Sequence, residues 1–427
     1  MALLGCGTVG GGVLRLLREN ASFLLLRVGV PIEITHVLVK NPSKERVAEC
    51  NKEWITTDPE AVLGDESVDV VVEVMGGEEP ARTYIDRAVL AGKAVVTANK
   101  LLIAAHGPEL VAAAIARRVD LAFEASVGGG IPIIRTLREA LASDTVDNVH
   151  AILNGTTNYI LTRMRDAGLT FEAALSEAQT LGYAEADPTL DVDGHDAAQK
   201  LTVMAMLAFG AKVDTRDMVV EGVRTLDATD FRMADRFGYT VKHLGIGHDR
   251  GERLELRVHP ALIRKSSVLA NVDGVLNGVF VTGRALGPCL LVGRGAGDMP
   301  TAVSVVADLV DVARARQGGE PGLMTRGIQL KERALLPRED VETRYYLRFD
   351  VGDHPGVIGI IASALGAQGV SIEQMVQEGR PTRDGDTVPV CLITHTCREG
   401  AVLKAFDVVR ERPFLRGAPR LLRIEEV

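Results

Sequence analysis

Residues 2–18, ALLGCGTVGGGVLRLLR, decide how this chain is read. Ala2 to Leu4 is a short apolar run, Gly5-Cys6-Gly7-Thr8-Val9-Gly10 is a glycine turn, and Val13 to Arg18 has helical character. Strand, glycine turn and helix in that order make a dinucleotide-binding unit. Gly5 suits the tight turn, Gly7 lets backbone approach a pyrophosphate, and Gly10 lets helix and strand pack closely, leaving the phosphates at the helix N-terminus. Glycines alone are weak evidence, so the surroundings matter. Apolar runs at Ile32 to Val39, Val68 to Val74 and Ala94 to Thr97, with helical stretches between, give the alternation of a parallel sheet. The fold class is therefore α/β, beginning with a Rossmann-type, doubly wound cofactor domain over residues 1–131.

Two lysines stand at positions this sheet makes important. Where an NAD site normally carries an acidic residue after the second strand, the chain has Lys40-Asn41-Pro42-Ser43-Lys44-Glu45-Arg46. Cations there suit the 2′-phosphate of NADP, with a solvated basic loop as the bland alternative and NAD still possible. Lys100 follows the strand Ala94 to Thr97, at the carboxyl edge where ligands of doubly wound sheets bind. A lysine in the first turn of a helix is otherwise badly placed against the dipole.

Further along, Ala122 to Pro132 reads FEASVGGGIP after its alanine, a loop whose glycines let carbonyls turn inward beside Glu124. It is either a monovalent-cation loop or a tight hinge before a Pro-started helix. Asn148 to Leu153 is a strand leading into Asn154-Gly155-Thr156-Thr157-Asn158 and a helix from Tyr159 to Arg165. The free N–H groups there can hold a carboxylate, or the Thr and Asn simply cap.

The chemistry is expected in Leu181 to Lys200, LGYAEADPTLDVDGHDAAQK, which gathers Glu185, Asp187, Asp191, Asp193, Asp196 and Lys200. From His195 to Phe209 the chain reads as a largely buried helix, with Asp196 and Lys200 four apart on one side. A lysine beginning so apolar a helix is costly unless it has a partner or a task. The segment imitates an EF-hand start, but the twelfth position would be Lys200, which repels calcium.

Gly210 to about Ala285 reads as scaffold, with short strands at Leu254 to Val258 and Gly278 to Thr282. A second glycine turn, Gly293 to Pro300, is expected to be capped by Asp298 and to start a helix, Thr301 to Ala315, that returns to the cofactor domain. Residues 132–299 then form an α+β substrate and dimerisation domain, and 317–343 a linker. Beyond it, residues 344–427 read as a unit of their own: strand Tyr345 to Val351, helix Val357 to Gln368, strands Val370 to Gln377 and Thr387 to His395, helix Glu399 to Val409, strand Arg420 to Ile424. That βαββαβ order is ferredoxin-like.

Composition sets limits around these motifs. The chain has 427 residues, 46% hydrophobic and 25% charged, enough for two or three cored domains, and a net charge of −9 disfavours nucleic acid. No apolar span reaches membrane length and no leader peptide is visible, so a cytoplasmic protein without a membrane partner is expected. Five scattered cysteines, Cys6, Cys50, Cys289, Cys391 and Cys397, suit reduced thiols rather than a disulfide frame or zinc site.

Taken together, GCGTVG, VTANK, FEASVGGGIPII, NGTTNYIL, the acidic segment and DHPGVIGIIASALGAQGVSIEQMVQ resemble homoserine dehydrogenase in the form with a C-terminal ACT regulatory domain. The resemblance implies interconversion of L-homoserine and L-aspartate 4-semialdehyde, a step toward threonine, methionine and isoleucine, with NADP or NAD. It implies Lys200 and Lys100 as catalytic lysines, and Glu185, Asp191, Asp196, Gly155 and Thr156 around the substrate. It implies cofactor contacts at Gly5, Gly7, Thr8, Val9, Gly10, Lys40, Lys100 and Gly297, and a sodium site of Glu124 with the Val127, Gly129 and Ile131 carbonyls. An amino-acid effector, threonine by resemblance, and a homodimer or homotetramer follow. The first strand is shorter than the family pattern, as a clipped start would leave it, and a short strand weakens the sheet under the pyrophosphate. The rival reading is a catalytically inactive sensor of NADP and an amino acid, which has no need of a buried Lys200.

Overall fold

The computed structural model describes residues 1–378 and 387–427. Six parallel strands make the first sheet: β1 (Ala2–Leu4), β2 (His36–Leu38), β3 (Ile55–Thr56), β4 (Val70–Glu73), β5 (Ala94–Thr97) and β6 (Leu121–Ala122). Their order, β3-β2-β1-β4-β5-β6, reverses between β1 and β4, and ligands of such sheets bind outside the carboxyl ends at that switch point. Both faces are covered. Leu4, Val71, Val95 and Leu121 join one core cluster, while Leu3, Val72, Val96 and Ala122 join the other. Strands buried on both sides lose the polar alternation of a half-exposed sheet, which is why they read as plain apolar runs.

The glycine turn opens a helix, Thr8–Glu19, earlier than the expected start at Val13. Gly5 has φ +95, and a Cβ on Gly10 would lie 2.4 Å from the Gly5 carbonyl oxygen, so neither position admits a side chain. Helix Asp298–Gln317 packs along Thr8–Glu19, where a Cβ on Gly12 would come within 2.9 Å of Ala302. The chain thus comes back to the first sheet after building most of the second.

Three expectations need correction here. The second strand is His36–Leu38 rather than Ile32 to Val39, because its neighbour β1 offers only Ala2–Leu4 to pair with. Asp298 is the first residue of its helix rather than its cap: Gly297, at φ +125, holds the cap position, with no side-chain capping bond. The scaffold of short strands is a pair of long ones and their neighbours, described next.

The second sheet contains β7 (Val146–Ile152), β8 (Tyr239–Asp249), β9 (Arg253–Arg264), β10 (Leu276–Gly283), β11 (Gly287–Arg294), β12 (Glu342–Gly352), β13 (Ile372–Gln377), β14 (Thr387–Thr394) and β15 (Arg420–Glu425). Its main path runs β11-β10-β7-β8-β9-β15-β12-β14-β13. β8 escapes a hydrophobicity reading because Lys242 and His243, buried in it, interrupt the apolar run.

The C-terminal segment has the expected βαββαβ order, with helices Val357–Ala367 and Glu399–Arg410. It does not stand apart. Arg423–Glu425 of β15 pair with Ala261–Ile263 of β9, so its sheet continues the central one. Buried charge reinforces the join: Arg423 bonds Glu221 and Glu399, and Arg348 bonds Asp227 and Asp230. Residues 317–343, expected as a linker, are pinned along their length. Gly322 and Met324 donate to the Asp120 carboxylate, Leu121 donates to Thr325, and Leu336 donates to Leu254.

Candidate active site

The helix His195–Ala208 begins at Gly194, whose φ of +90 turns the chain out of the short helix Thr189–Val192. A Cβ on Gly194 would meet Val220 and His243, so the turn is also tight in space. Asp196 and Lys200 lie in its first two turns, both buried, and the apolar residues around them fix the helix against the second sheet. Lys200 Nζ donates to Asp196 Oδ2 at 2.7 Å and to the Leu153 carbonyl at 2.8 Å. The other carboxylate oxygen, Oδ1, lies 3.0 Å from Lys100 Nζ. One carboxylate therefore bridges a lysine of the central helix and a lysine at the carboxyl edge of the cofactor sheet.

Electrostatics makes the bridge rigid in charge. Burial alone would push the Asp196 carboxyl up, but Lys200, Lys100 and the Asn154 amide outweigh it and hold it well below the usual carboxylate range. For Lys100 desolvation works against the charge, yet Asp196, Asp191 and Glu185 raise it above the usual lysine value. Both groups are ionised at neutral pH.

Asn154 was not among the expected site residues, and it ties the site together. Its side-chain amide donates to Asp191 at 2.7 Å and to Asp196 at 2.9 Å, while its oxygen accepts from Thr157 N and so caps helix Gly155–Ala167. The N-cap pattern was legible, but the second role depends on side chains brought from 37 and 42 residues away. Thr156 donates to Asp191 at 3.1 Å and to the Tyr183 carbonyl at 2.7 Å. Gly155 is there for space: a Cβ would lie 2.8 Å from the Val275 oxygen. Glu185 is exposed at the rim, Asp187 bonds the Thr189 N–H outside the cluster, and Asp193 pairs with Arg224.

The other expected residues fall in separate places. Gly7 and Thr8 are exposed at the start of their helix and Gly7 has open space where a Cβ would be, so the turn fits a dinucleotide phosphate. Lys40 is exposed beyond β2, whereas Arg46 is folded back to donate to the carbonyls of Asn41, Pro42 and Lys44. Gly297 is exposed in the second glycine turn, where Gly129 packs against Gly295. The Glu124 carboxylate accepts from Ile134 N and Arg135 N at 2.8 Å each. Of the three carbonyls expected around sodium, Gly129 O accepts from the Ser304 hydroxyl at 2.6 Å and Ile131 O from Ile133 N. Beneath them Asp308, buried beside Glu124, has its carboxyl pushed up to about 8 by desolvation and that neighbouring charge.

A parallel sheet with a glycine cradle at its first turn, and at its carboxyl edge a lysine bridged through a buried aspartate to a second, buried lysine that can manage a proton, defines a nicotinamide-dependent dehydrogenase. Comparison with known proteins makes the class specific. Residues 5–124 match the family model described as homoserine dehydrogenase, NAD binding domain, and residues 132–310 match the homoserine dehydrogenase model. A homoserine dehydrogenase of Pseudomonas aeruginosa is 42% identical over 100% of this chain and 99% of its own. The crystal structure of one from Thiobacillus denitrificans is 43% identical with a TM-score of 0.93, covering 100% of this chain and 97% of that one. A hyperthermophilic archaeal homoserine dehydrogenase solved in complex with NADPH is 26% identical, with a TM-score of 0.62 over 73% of this chain and 96% of its own.

The chain belongs to the homoserine dehydrogenase family. It is an oxidoreductase acting on a CH–OH group with a nicotinamide cofactor. Among the described residues, no helix is long and apolar enough to cross a membrane.

Proposed function

We propose that Lys200 exchanges the proton on the reacting oxygen as this enzyme interconverts L-homoserine and L-aspartate 4-semialdehyde. The observation that carries this reading is Asp196, which holds Lys200 on one oxygen and Lys100 on the other. With its phosphates held at the glycine turn, the cofactor would supply the hydride for reduction and take it in oxidation. Lys200 donates a proton to the oxygen during reduction and removes it during oxidation, with Asp196 compensating the charge of its ammonium form. Lys100, half-exposed at the sheet edge, orients the same oxygen from the cofactor side. Asp191, held by Asn154 and Thr156, and Glu185 at the rim bind the substrate ammonium. The free N–H groups of Gly155 and Thr156 at their helix start receive its carboxylate.

For the cofactor, we favour NADP: Lys40 is exposed and free to reach a 2′-phosphate. Sodium at Glu124, Val127, Gly129 and Ile131 is supported by the loop sequence alone, and two of the three carbonyls, those of Gly129 and Ile131, already accept a hydrogen bond. The C-terminal unit is read as an ACT domain that takes threonine. A cavity of about 430 Å³ at Asp353, His354, Gly356 and Gln377 is of amino-acid size. β13, an edge of the sheet among the described residues, is read as the surface for a homodimer or homotetramer.

The test is NADPH oxidation followed by absorbance with aspartate 4-semialdehyde, run beside NADH. Turnover with preference for NADPH is expected; absence of turnover with either cofactor refutes the catalytic reading. Threonine titrated into the same assay should lower activity several-fold if the effector reading holds, and no heat of binding in calorimetry removes it.

A further inference from the structure

On the face of β7 opposite the catalytic helix lies a cluster that the dehydrogenase reaction does not use. Val149 and Ala151 share the core with Leu201 of that helix, so His150, between them, projects the other way. It is 3% exposed, and neither ring nitrogen has a hydrogen-bond partner. A buried polar atom left in that state is destabilising unless something else engages it. On β8, Ile246 stands opposite His150 and Asn148 opposite His248, which makes the two histidines diagonal neighbours on one face. Their rings meet edge to face with centroids 5.0 Å apart, and His248 Nε2 is also unpartnered. Glu425, from β15, completes the group: a nitrogen of each histidine and a Glu425 oxygen lie within 4.8 Å of one another.

We propose that His150, His248 and Glu425 form a binding site for a borderline divalent transition-metal ion of the zinc type. Two imidazoles and one carboxylate are the donor set such ions prefer, whereas magnesium and calcium take oxygen. Neither His150 nitrogen nor His248 Nε2 is engaged by a hydrogen bond, so each ring has a nitrogen open to an ion. Glu425 accepts from Arg257 Nη1 at 2.9 Å through Oε1, leaving Oε2 without a protein partner among the described residues. An adjoining cavity of about 250 Å³ has four glutamates and three arginines on its wall, so a cation is not repelled and water can fill the remaining coordination position. A tetrahedral zinc with bonds of about 2.1 Å needs donors about 3.4 Å apart. Ion binding therefore requires the half-buried His248 ring to rotate inward by about an ångström. The ion would fasten the last strand of the C-terminal unit to two strands of the central sheet, a structural role on the far side of the sheet from Lys200.

The test uses the full-length protein, stripped with chelator and titrated with Zn²⁺ by calorimetry and Co²⁺ by visible absorption. One ion per chain is expected, with the intense d–d bands of low-coordinate cobalt and a Zn²⁺-dependent rise in Tm. His150→Phe and His248→Phe, which keep a packed ring, should each weaken Zn²⁺ by more than the roughly 10–100-fold that loss of a supporting hydrogen bond costs. Glu425→Gln serves as the independent variant should a histidine replacement fail to fold. Homoserine turnover should stay unchanged in any variant that folds. Absence of saturable Zn²⁺ binding in the unmodified protein, or binding that survives in the variants, overturns the proposal and leaves an edge-packed histidine pair.

Discussion

Lys200→Met deletes the ammonium while keeping most of the aliphatic stem in its packed place. In the unmodified protein that ammonium donates to Asp196 at 2.7 Å and to the Leu153 carbonyl at 2.8 Å. Asp196 would retain Lys100 at 3.0 Å and Asn154 at 2.9 Å, so the buried carboxylate keeps a counter-charge. The Leu153 carbonyl loses its charged donor, which costs about 1–3 kcal/mol of stability. A positioned proton donor is worth roughly 10²–10⁴ in rate, equivalent to about 2.7–5.5 kcal/mol of barrier, so the kinetic loss is expected to exceed the structural one. Steady-state NADPH oxidation should give a kcat at least about 100-fold lower, while fluorescence titration should find NADPH affinity within about twofold. Lys200→Arg separates charge from proton transfer: a guanidinium cannot give up its proton near neutral pH and should be nearly as slow as Met. A kcat near normal in Lys200→Met, with the fold intact by thermal melt, would refute the assignment and reduce Lys200 to a counter-ion for Asp196.

Four further outcomes follow from the same geometry. Glu185→Gln should raise KM for homoserine more than it lowers kcat, since its proposed role is to bind a group that does not react; the reverse pattern in steady-state kinetics reassigns it. Lys40→Ala should weaken NADPH and spare NADH in parallel binding titrations, and equal loss of both removes its role at the 2′-phosphate. Arg348→Met takes from half-exposed Asp227 and buried Asp230 a shared partner held at 2.6 and 2.8 Å; Arg420 still pairs with both, so the cost should be about 1–3 kcal/mol, below that of an orphaned buried charge, read as a lower urea midpoint. The folded-state pKa of Asp196 is depressed, so its stabilisation is present above the unfolded value of about 3.9 and lost as pH falls through the folded one; Asp196→Asn should flatten the acid limb of stability against pH.

The join between the C-terminal unit and the central sheet changes how regulation can be probed. Removing residues 344–427 would expose the β9 edge at Ala261–Ile263 and leave Glu221 with Arg338 in place of its buried partner Arg423, so truncation would disturb the fold for reasons unrelated to threonine. Point changes at the Asp353–Gly356 turn are the cleaner perturbation. Glu221 also links the two regions directly: its side chain takes Arg423, and its carbonyl oxygen is 3.0 Å from His243, which packs under Gly194 at the start of the catalytic helix.

What the sequence determined by itself was everything that depends on local pattern. The glycine turn, the apolar runs of β4 and β5, the helix from His195 and the βαββαβ order of the C-terminal segment rest on chain periodicity and turn residues, which act over a few positions. The pair Asp196–Lys200 was legible for the same reason, being one helical turn apart. Tertiary structure alone decided the rest. Asn154 reads as a cap, and only the fold brings Asp191 and Asp196 to its amide. Lys100 and Asp196 are 96 residues apart and meet because one opens the helix that follows a strand of the first sheet while the other lies in the first turn of the helix packed on the second. The continuity of β15 with β9 rests on Arg423, Glu221, Glu399, Arg348 and Asp230, charges that read as solvated surface until their partners are known. A buried charge is tolerable only when paired, and pairing is a property of the folded chain.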